Sequence, residues 1–179
     1  MQSTAAEVRK VIAERRGIKL DLACGPTKQG VDWVGLDRIA WPGVDIVWDL
    51  EKYPWPIPDE CVLVCIASHI VEHISRENNG FFRFMDELWR VMRPEAQVAI
   101  AMPYGFSPGY MQDPGHVNPC TEATFAYLDP IHPSGLYANY LPKPWKYENV
   151  SWHPVGLLEA VLSKRRLDPS YIPHGVSNA

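Results

Sequence analysis

Apolar residues in this chain fall mostly into short, unbroken runs, separated by polar stretches rich in proline, glycine and tryptophan. The runs at residues 18–23 (IKLDLA), 33–37 (WVGLD) and 44–48 (VDIVW) read as strands. CVLVCIA at 61–67 is apolar throughout, as expected of a central strand buried on both faces. QVAIAM at 97–102 reads as the next strand. A helical period appears at 81–92, where Phe81, Phe84, Met85, Leu88, Trp89 and Met92 line one face, and Pro94 is expected to end that helix. Val8, Val11 and Ile12 among charged residues predict a short amphipathic helix within 1–17 rather than a signal peptide. Thr121 is placed to cap a short helix in TEATFAYL, and residues 145–152 and 157–163 form an antiparallel pair turned at Pro154 and Gly156.

Strands alternating with connections predict an α/β fold with a mostly parallel, twisted sheet and a C-terminal antiparallel hairpin. The first three connections, 25–31, 38–43 and 50–59, are too short for the helical crossover of about a dozen residues that parallel strands usually need. They are expected to be helix-less. Trp33, Trp41, Trp48 and Trp55 gather in this half, so a partner, a second copy or the N-terminal helix is expected to cover them.

Composition narrows the function. At 179 residues, 46% hydrophobic, the chain suits one domain, and no apolar run approaches the ~20 residues that cross a bilayer. A net charge of -4 argues against a nucleic-acid partner. Arg9, Lys10, Arg15 and Arg16, and Lys164, Arg165 and Arg166, read as a solvated helix face and strand end. Four cysteines without a CxxC pair fit a reduced, cytoplasmic setting.

The candidate chemistry begins at Asp21-Leu-Ala-Cys-Gly25-Pro-Thr-Lys-Gln-Gly30. This loop does not match G-x-G-x-x-G, and no helix fits behind it to receive a pyrophosphate, which disfavours NAD and ATP. A nucleoside cofactor without phosphate and with a sulfonium cation needs acids at strand ends instead. Asp21, Asp37 and Asp49 stand at the ends of the first three strands.

The stretches LDLACGP, GLD, WDLEKYPWPIPDE, SHIVEHI, ELWRVMRPEAQVAIAMP and QDPGHVNPCTEATFAYL resemble class I, Rossmann-like S-adenosylmethionine-dependent methyltransferases of the type 11-like group. The resemblance implies a single domain with a seven-stranded sheet whose last strand is antiparallel. It divides the chain into an N-terminal helix (1–17), a cofactor-binding core (18–102), a substrate or lid region (103–144) and a hairpin with tail (145–179). It places Asp21 and Gly25 at the methionine end of S-adenosylmethionine, Asp37 with Arg38 at the ribose, Asp49 and Leu50 at the adenine, and Ser68 or His69 under the sulfonium. Ala23 stands where the family usually has glycine, and permits close approach of the ligand only at negative φ.

Two histidine motifs remain. His69-Ile-Val-Glu72-His73 matches H-x-x-E-H, but its position directly after a buried strand leaves little helix for a zinc-protease site, so no metal is expected. One histidine serves near the cofactor, and His73 is expected to pack as a hydrogen-bonded core residue. In QDPGHVNPC, a turn at Pro114-Gly115 brings Asp113 to His116, a carboxylate–imidazole pair suited to a general base. Tyr104 and Tyr110 are candidate substrate contacts. The chain lacks the D/N/S-P-P-Y/F turn of amino-methyltransferases of DNA bases, and Pro119-Cys120 lies too late for a cytosine C5 nucleophile. The acceptor is then a small molecule, a sugar or a protein side chain. The competing reading is a methyltransferase-like binding or assembly module without catalysis.

Overall fold

A computed structural model describes residues 2–13 and 15–166. Seven strands form one sheet in the order β3-β2-β1-β4-β5-β7-β6. They are β1 (Ile18–Leu22), β2 (Trp33–Asp37), β3 (Ile46–Val47), β4 (Val62–Ser68), β5 (Met92–Pro103), β6 (Trp145–His153) and β7 (Leu157–Lys164). β1 to β5 run parallel, and β7 lies antiparallel between β5 and β6. The strand order reverses direction at β1, which puts a topological switch point between β1 and β4 on the carboxyl rim.

Helices α1 (Ala5–Ala13), α2 (Gly80–Val91), α3 (Pro108–Met111) and α4 (Glu122–Ala126) complete the described fold. None is long and apolar enough to cross a membrane. α1 sends Val8 and Ile12 into the core. α2 buries Phe84, Met85, Leu88 and Val91 at the predicted spacing. Thr121 caps α4, its backbone N–H bonded to the Thr124 hydroxyl.

No helix lies between β1 and β4 among the described residues, as the short connections predicted. Side chains hold these loops instead. Asp45 accepts from Gly35 N at 2.8 Å and from Lys28 Nζ at 2.6 Å, and Asp21 accepts from Gln29 N at 2.8 Å. Gly35 is needed here because a Cβ would stand 2.7 Å from Cys24 Sγ.

Four expectations are corrected. β3 is shorter than 44–48, because Val44 N turns back to Trp41 O and Asp45 points inward to Gly35. Pro94 does not end the second helix: Met92 already takes extended angles, and Pro94 lies inside β5 beside a register shift at Glu95, φ 63°. Trp55 is not a surface residue. It is 2% exposed, packs edge-on against Phe84 and donates from its indole N–H to Leu50 O. The 164–166 stretch is not a free basic end. Lys164 is 1% exposed, donates to Met92 O at 2.8 Å, pairs with Glu60 and lies 3.9 Å from the Trp89 ring centroid. Arg165 pairs with Asp129, and Arg166 with Glu60. The edge strand β3 is also covered: Ser3 N donates to Val47 O and Ser3 Oγ accepts from Val47 N. The tail at 167–179 lies outside the described residues.

A single methyl group tests how tightly α2 is seated. A Cβ on Gly80, the first residue of the helix, would stand 1.8 Å from the Ser75 carbonyl oxygen, a backbone atom that cannot rotate away. Gly80→Ala is expected to cost about 2–4 kcal/mol, read as a lowered urea midpoint; an unchanged midpoint would contradict this packing.

Candidate functional site

The first three acids do stand on one rim. Parallel register sets Asp21 opposite Gly35 and Asp37 opposite Val47, two residues before Asp49. A cleft of about 470 Å³ opens there, lined by Ala23, Asp37, Arg38, Asp49, Leu50 and His69 among others. Ile39 and Trp41, apolar side chains exposed to solvent, also line it, as does Trp48. The exposed apolar surface of the N-terminal half therefore belongs in part to the cleft wall.

Asp37 is the hinge of the site. Its Oδ2 accepts from Gly25 N at 3.0 Å and its Oδ1 from Ile39 N at 2.8 Å, so one buried carboxylate ties the glycine loop to the opposite wall. Each oxygen keeps a further lone pair. Asp49 is half-buried, and its Oδ1 accepts from Glu51 N at 3.1 Å. Asp21 and Gly25 stand behind this surface rather than lining the cleft, because the loop folds back onto both carboxylates. Ser68 ends β4 with its side chain exposed, outside the cleft lining. Ala23 has φ 53°, not the negative value expected, because the chain must leave the end of β1 sharply to form this loop. An alanine carries strain there that glycine would not.

The rim is electronegative. Burial first, then the carboxylates of Asp21, Asp37 and Asp45, push the Cys24 thiol up to about 11. Burial likewise raises the Asp21 carboxyl, against the Gln29 N–H and Lys28. Burial opposes either sign of charge, whereas the carboxylate part of the shift is what favours a cationic ligand. The Asp21 shift also fixes a pH dependence. Its ionised form is disfavoured in the folded chain, so the cost is fully present above the folded pKa and vanishes below the ordinary value of 3.8. Asp21→Asn is expected to melt a few degrees higher than the wild type at neutral pH, with the gap closing as pH falls toward 3.8. A lower melting point at neutral pH would contradict this reading of Asp21.

At the end of β4 the chain turns sharply. His69 takes φ 53° and its N–H donates to Ala101 O at 2.8 Å. A short 3-10 turn, Val71–His73, follows. The H-x-x-E-H residues therefore do not share a helix. Instead His69 Nδ1 lies 3.1 Å from Glu72 Oε1. Since a carboxylate oxygen accepts, Nδ1 carries the proton and Nε2 keeps its lone pair. Glu72 is 0% exposed, whereas the His69 side chain is 57% exposed and reaches both the cleft and a neighbouring pocket of about 440 Å³.

That second pocket is also lined by Glu72, His73, Asp113 and His116. The loop carrying His116 is stapled to the 3-10 turn. Val117 N and Asn118 N both donate to Glu72 O, and Asn118 Nδ2 donates to Val71 O and Ile74 O. The predicted turn at Pro114-Gly115 forms, with His116 N bonded to Asp113 O. The side chains pair less closely than expected: Asp113 Oδ2 and His116 Nε2 are 3.7 Å apart, because Asp113 Oδ1 is taken by Gly115 N and His116 Nδ1 by Tyr110 O at 2.9 Å. His73 is exposed at the pocket rather than packed in the core, with Nδ1 on Gly115 O at 3.2 Å. Tyr104 stacks on Trp152, and Tyr110 is buried against His116.

Sequence reasoning did not foresee the contact between His69 and the buried Glu72. The one signal was its place three residues after His69, read only as part of a protease motif.

The sequence matches no protein-family model and no curated protein. Solved structures share the fold. A SAM-dependent methyltransferase from Archaeoglobus fulgidus aligns over 89% of this chain and 92% of its own, at 16% identity and a TM-score of 0.56. The 1,6-didemethyltoxoflavin-N1-methyltransferase of Burkholderia thailandensis, solved with 1,6-didemethyltoxoflavin and S-adenosylhomocysteine, covers 90% and 77%, at 13% identity and a TM-score of 0.57. A 16S rRNA (adenine(1408)-N(1))-methyltransferase from Catenulisporales acidiphilia, in a W203A form, covers 96% and 95%, at 14% identity and a TM-score of 0.57.

Proposed function

We propose that this chain, which has the class I, Rossmann-like fold of S-adenosylmethionine-dependent methyltransferases, transfers the methyl group of S-adenosylmethionine to a small molecule or a protein side chain. The observation that carries the reading is Asp37, a buried carboxylate with two spare lone pairs at the end of β2, facing a cleft on the carboxyl rim. Asp37 with Arg38 holds the ribose, and Asp49 with Leu50 and the apolar wall of Ile39 and Trp41 the adenine. The electronegative rim around Cys24 suits the sulfonium and α-amino cations. A pyrophosphate would meet carboxylates and no helix N-terminus.

Transfer is an in-line displacement. The acceptor's nucleophilic atom forms a bond to the methyl carbon while the carbon–sulfur bond breaks, its electron pair staying on sulfur to give S-adenosylhomocysteine. The acceptor's proton goes to a base. His69 fits that role better than His116. Its Nδ1–H is held by the buried Glu72 carboxylate, its Nε2 is unengaged among the described residues, and it stands where the cofactor cleft meets the second pocket. That pocket, about 440 Å³, suits a compact acceptor. The pairing of Arg165 and Arg166 with acids weighs against a nucleic-acid acceptor.

The test is transfer of labelled methyl from S-adenosylmethionine into separate small-molecule and protein fractions. Label entering either fraction, in an amount that depends on Asp37, supports the reading. Cofactor binding with no label in any fraction would point to the non-catalytic binding module, and absence of binding would remove both.

A further inference from the structure

Glu72, His73 and His116 each offer one ligand atom, and the three atoms lie within 4.8 Å of one another. We propose that these residues hold a divalent first-row transition-metal cation at the wall between the cofactor cleft and the second pocket.

The ring nitrogens are already sorted for this task. His73 Nδ1 faces the Gly115 carbonyl and His116 Nδ1 the Tyr110 carbonyl, so in each ring Nδ1 carries the proton and Nε2 presents its lone pair. An imidazole whose second N–H is anchored on a backbone carbonyl is the usual outer shell of a metal-ligating histidine. The rings meet edge to face with centroids 4.8 Å apart. Ligands about 2.0–2.1 Å from a common metal lie about 3–3.5 Å from each other, so donor atoms within 4.8 Å of one another need to close by little more than about 1 Å.

Glu72 supplies the independent observation. It is 0% exposed, Oε1 is engaged by His69, and Oε2 is buried with no hydrogen-bond partner among the described residues. A buried carboxylate oxygen left unpaired is costly, and a cation beside it removes the cost. Asp113 Oδ2 lies 3.7 Å from His116 Nε2, near enough to stand as a further ligand. Two imidazoles and a carboxylate suit zinc, iron(II), cobalt or manganese better than magnesium or calcium, which prefer all-oxygen shells. This is not the protease arrangement, since the first histidine of H-x-x-E-H turns to Glu72 instead.

The remaining coordination positions face the second pocket. On the methyl-transfer reading they would take an oxygen of the acceptor and make it more acidic, leaving His69 Nε2 to accept the proton. Cation binding itself does not depend on that reading.

Cobalt(II) and zinc(II) are titrated separately into the chelator-stripped full chain, followed by calorimetry and, for cobalt, by ligand-field absorption. One equivalent is expected, with affinity falling at least about 100-fold in His73→Ala and His116→Ala and unchanged in His132→Ala, a surface control. Glu72→Gln keeps the side-chain shape and is expected to weaken binding by a similar factor. Circular dichroism establishes that each variant folds, and titration with S-adenosylhomocysteine checks the cofactor site separately. Absence of a one-equivalent site in the folded wild type, or a site unaffected by His73→Ala and His116→Ala, would overturn the proposal.

Discussion

His69→Ala is expected to lower the methyl-transfer rate by about 10²–10⁴-fold while changing cofactor affinity by less than about tenfold, the signature of a lost general base. The expectation follows from two facts. The exposed imidazole is aimed by a carboxylate that no solvent reaches, and its backbone is pinned at φ 53° by the bond to Ala101 O. Holding a histidine in the left-handed region is a cost that the rim has to overcome, and it sets the ring at the mouth of the cleft. Cofactor affinity separates this role from a structural one: a displaced loop would weaken S-adenosylhomocysteine binding together with turnover, whereas loss of the base lowers turnover alone. Unaltered turnover in His69→Ala would take the residue out of the mechanism and return His116 to consideration.

Asp37→Ala is expected to weaken S-adenosylhomocysteine binding by more than about 10²-fold. Two charge-assisted hydrogen bonds to a ribose diol are each worth about 1.5–3 kcal/mol, so the pair alone reaches that range. The same substitution frees Gly25 N and Ile39 N, loosening the loop and the facing wall together. Asp49→Ala should cost less, about tenfold, because Asp49 is half-buried and its side-chain hydrogen bond from Glu51 N lies within its own turn. Calorimetric titration of both variants checks the order; an Asp37→Ala chain that binds as the wild type would displace the ribose from this carboxylate.

Much of the sheet was legible because strand runs such as 61–67 are apolar without interruption and the connections near them are too short for helices, but β4 is not buried on both faces as expected: Leu63 is 42% exposed, since no crossover helix among the described residues covers it. The acids at strand ends were legible for a related reason: after an apolar run, a carboxylate marks the rim where ligands approach. What the pattern could not reveal was which side chains replace the missing helices. Asp45, bonded to Gly35 and Lys28, was read only as part of a strand over 44–48, with no bracing role. Trp55 and Lys164 were misread because each is buried by partners distant in sequence, Phe84 for the first and Glu60 and Met92 for the second. The histidine cluster failed in the same way. Spacing along the chain suggests His69 with His73, whereas the loop stapled by Asn118 brings His116 to His73 and leaves His69 with Glu72. Contacts across more than about forty residues leave no periodic trace.

An electronegative rim of strand-end carboxylates should accept an adenosyl sulfonium and refuse a phosphorylated nucleotide, which parallel calorimetric titrations of the wild-type chain with S-adenosylmethionine, NAD and ATP will decide. Saturable one-to-one binding of S-adenosylmethionine with no heat from NAD or ATP is the predicted result; binding of either phosphorylated ligand, or silence with all three, would contradict it.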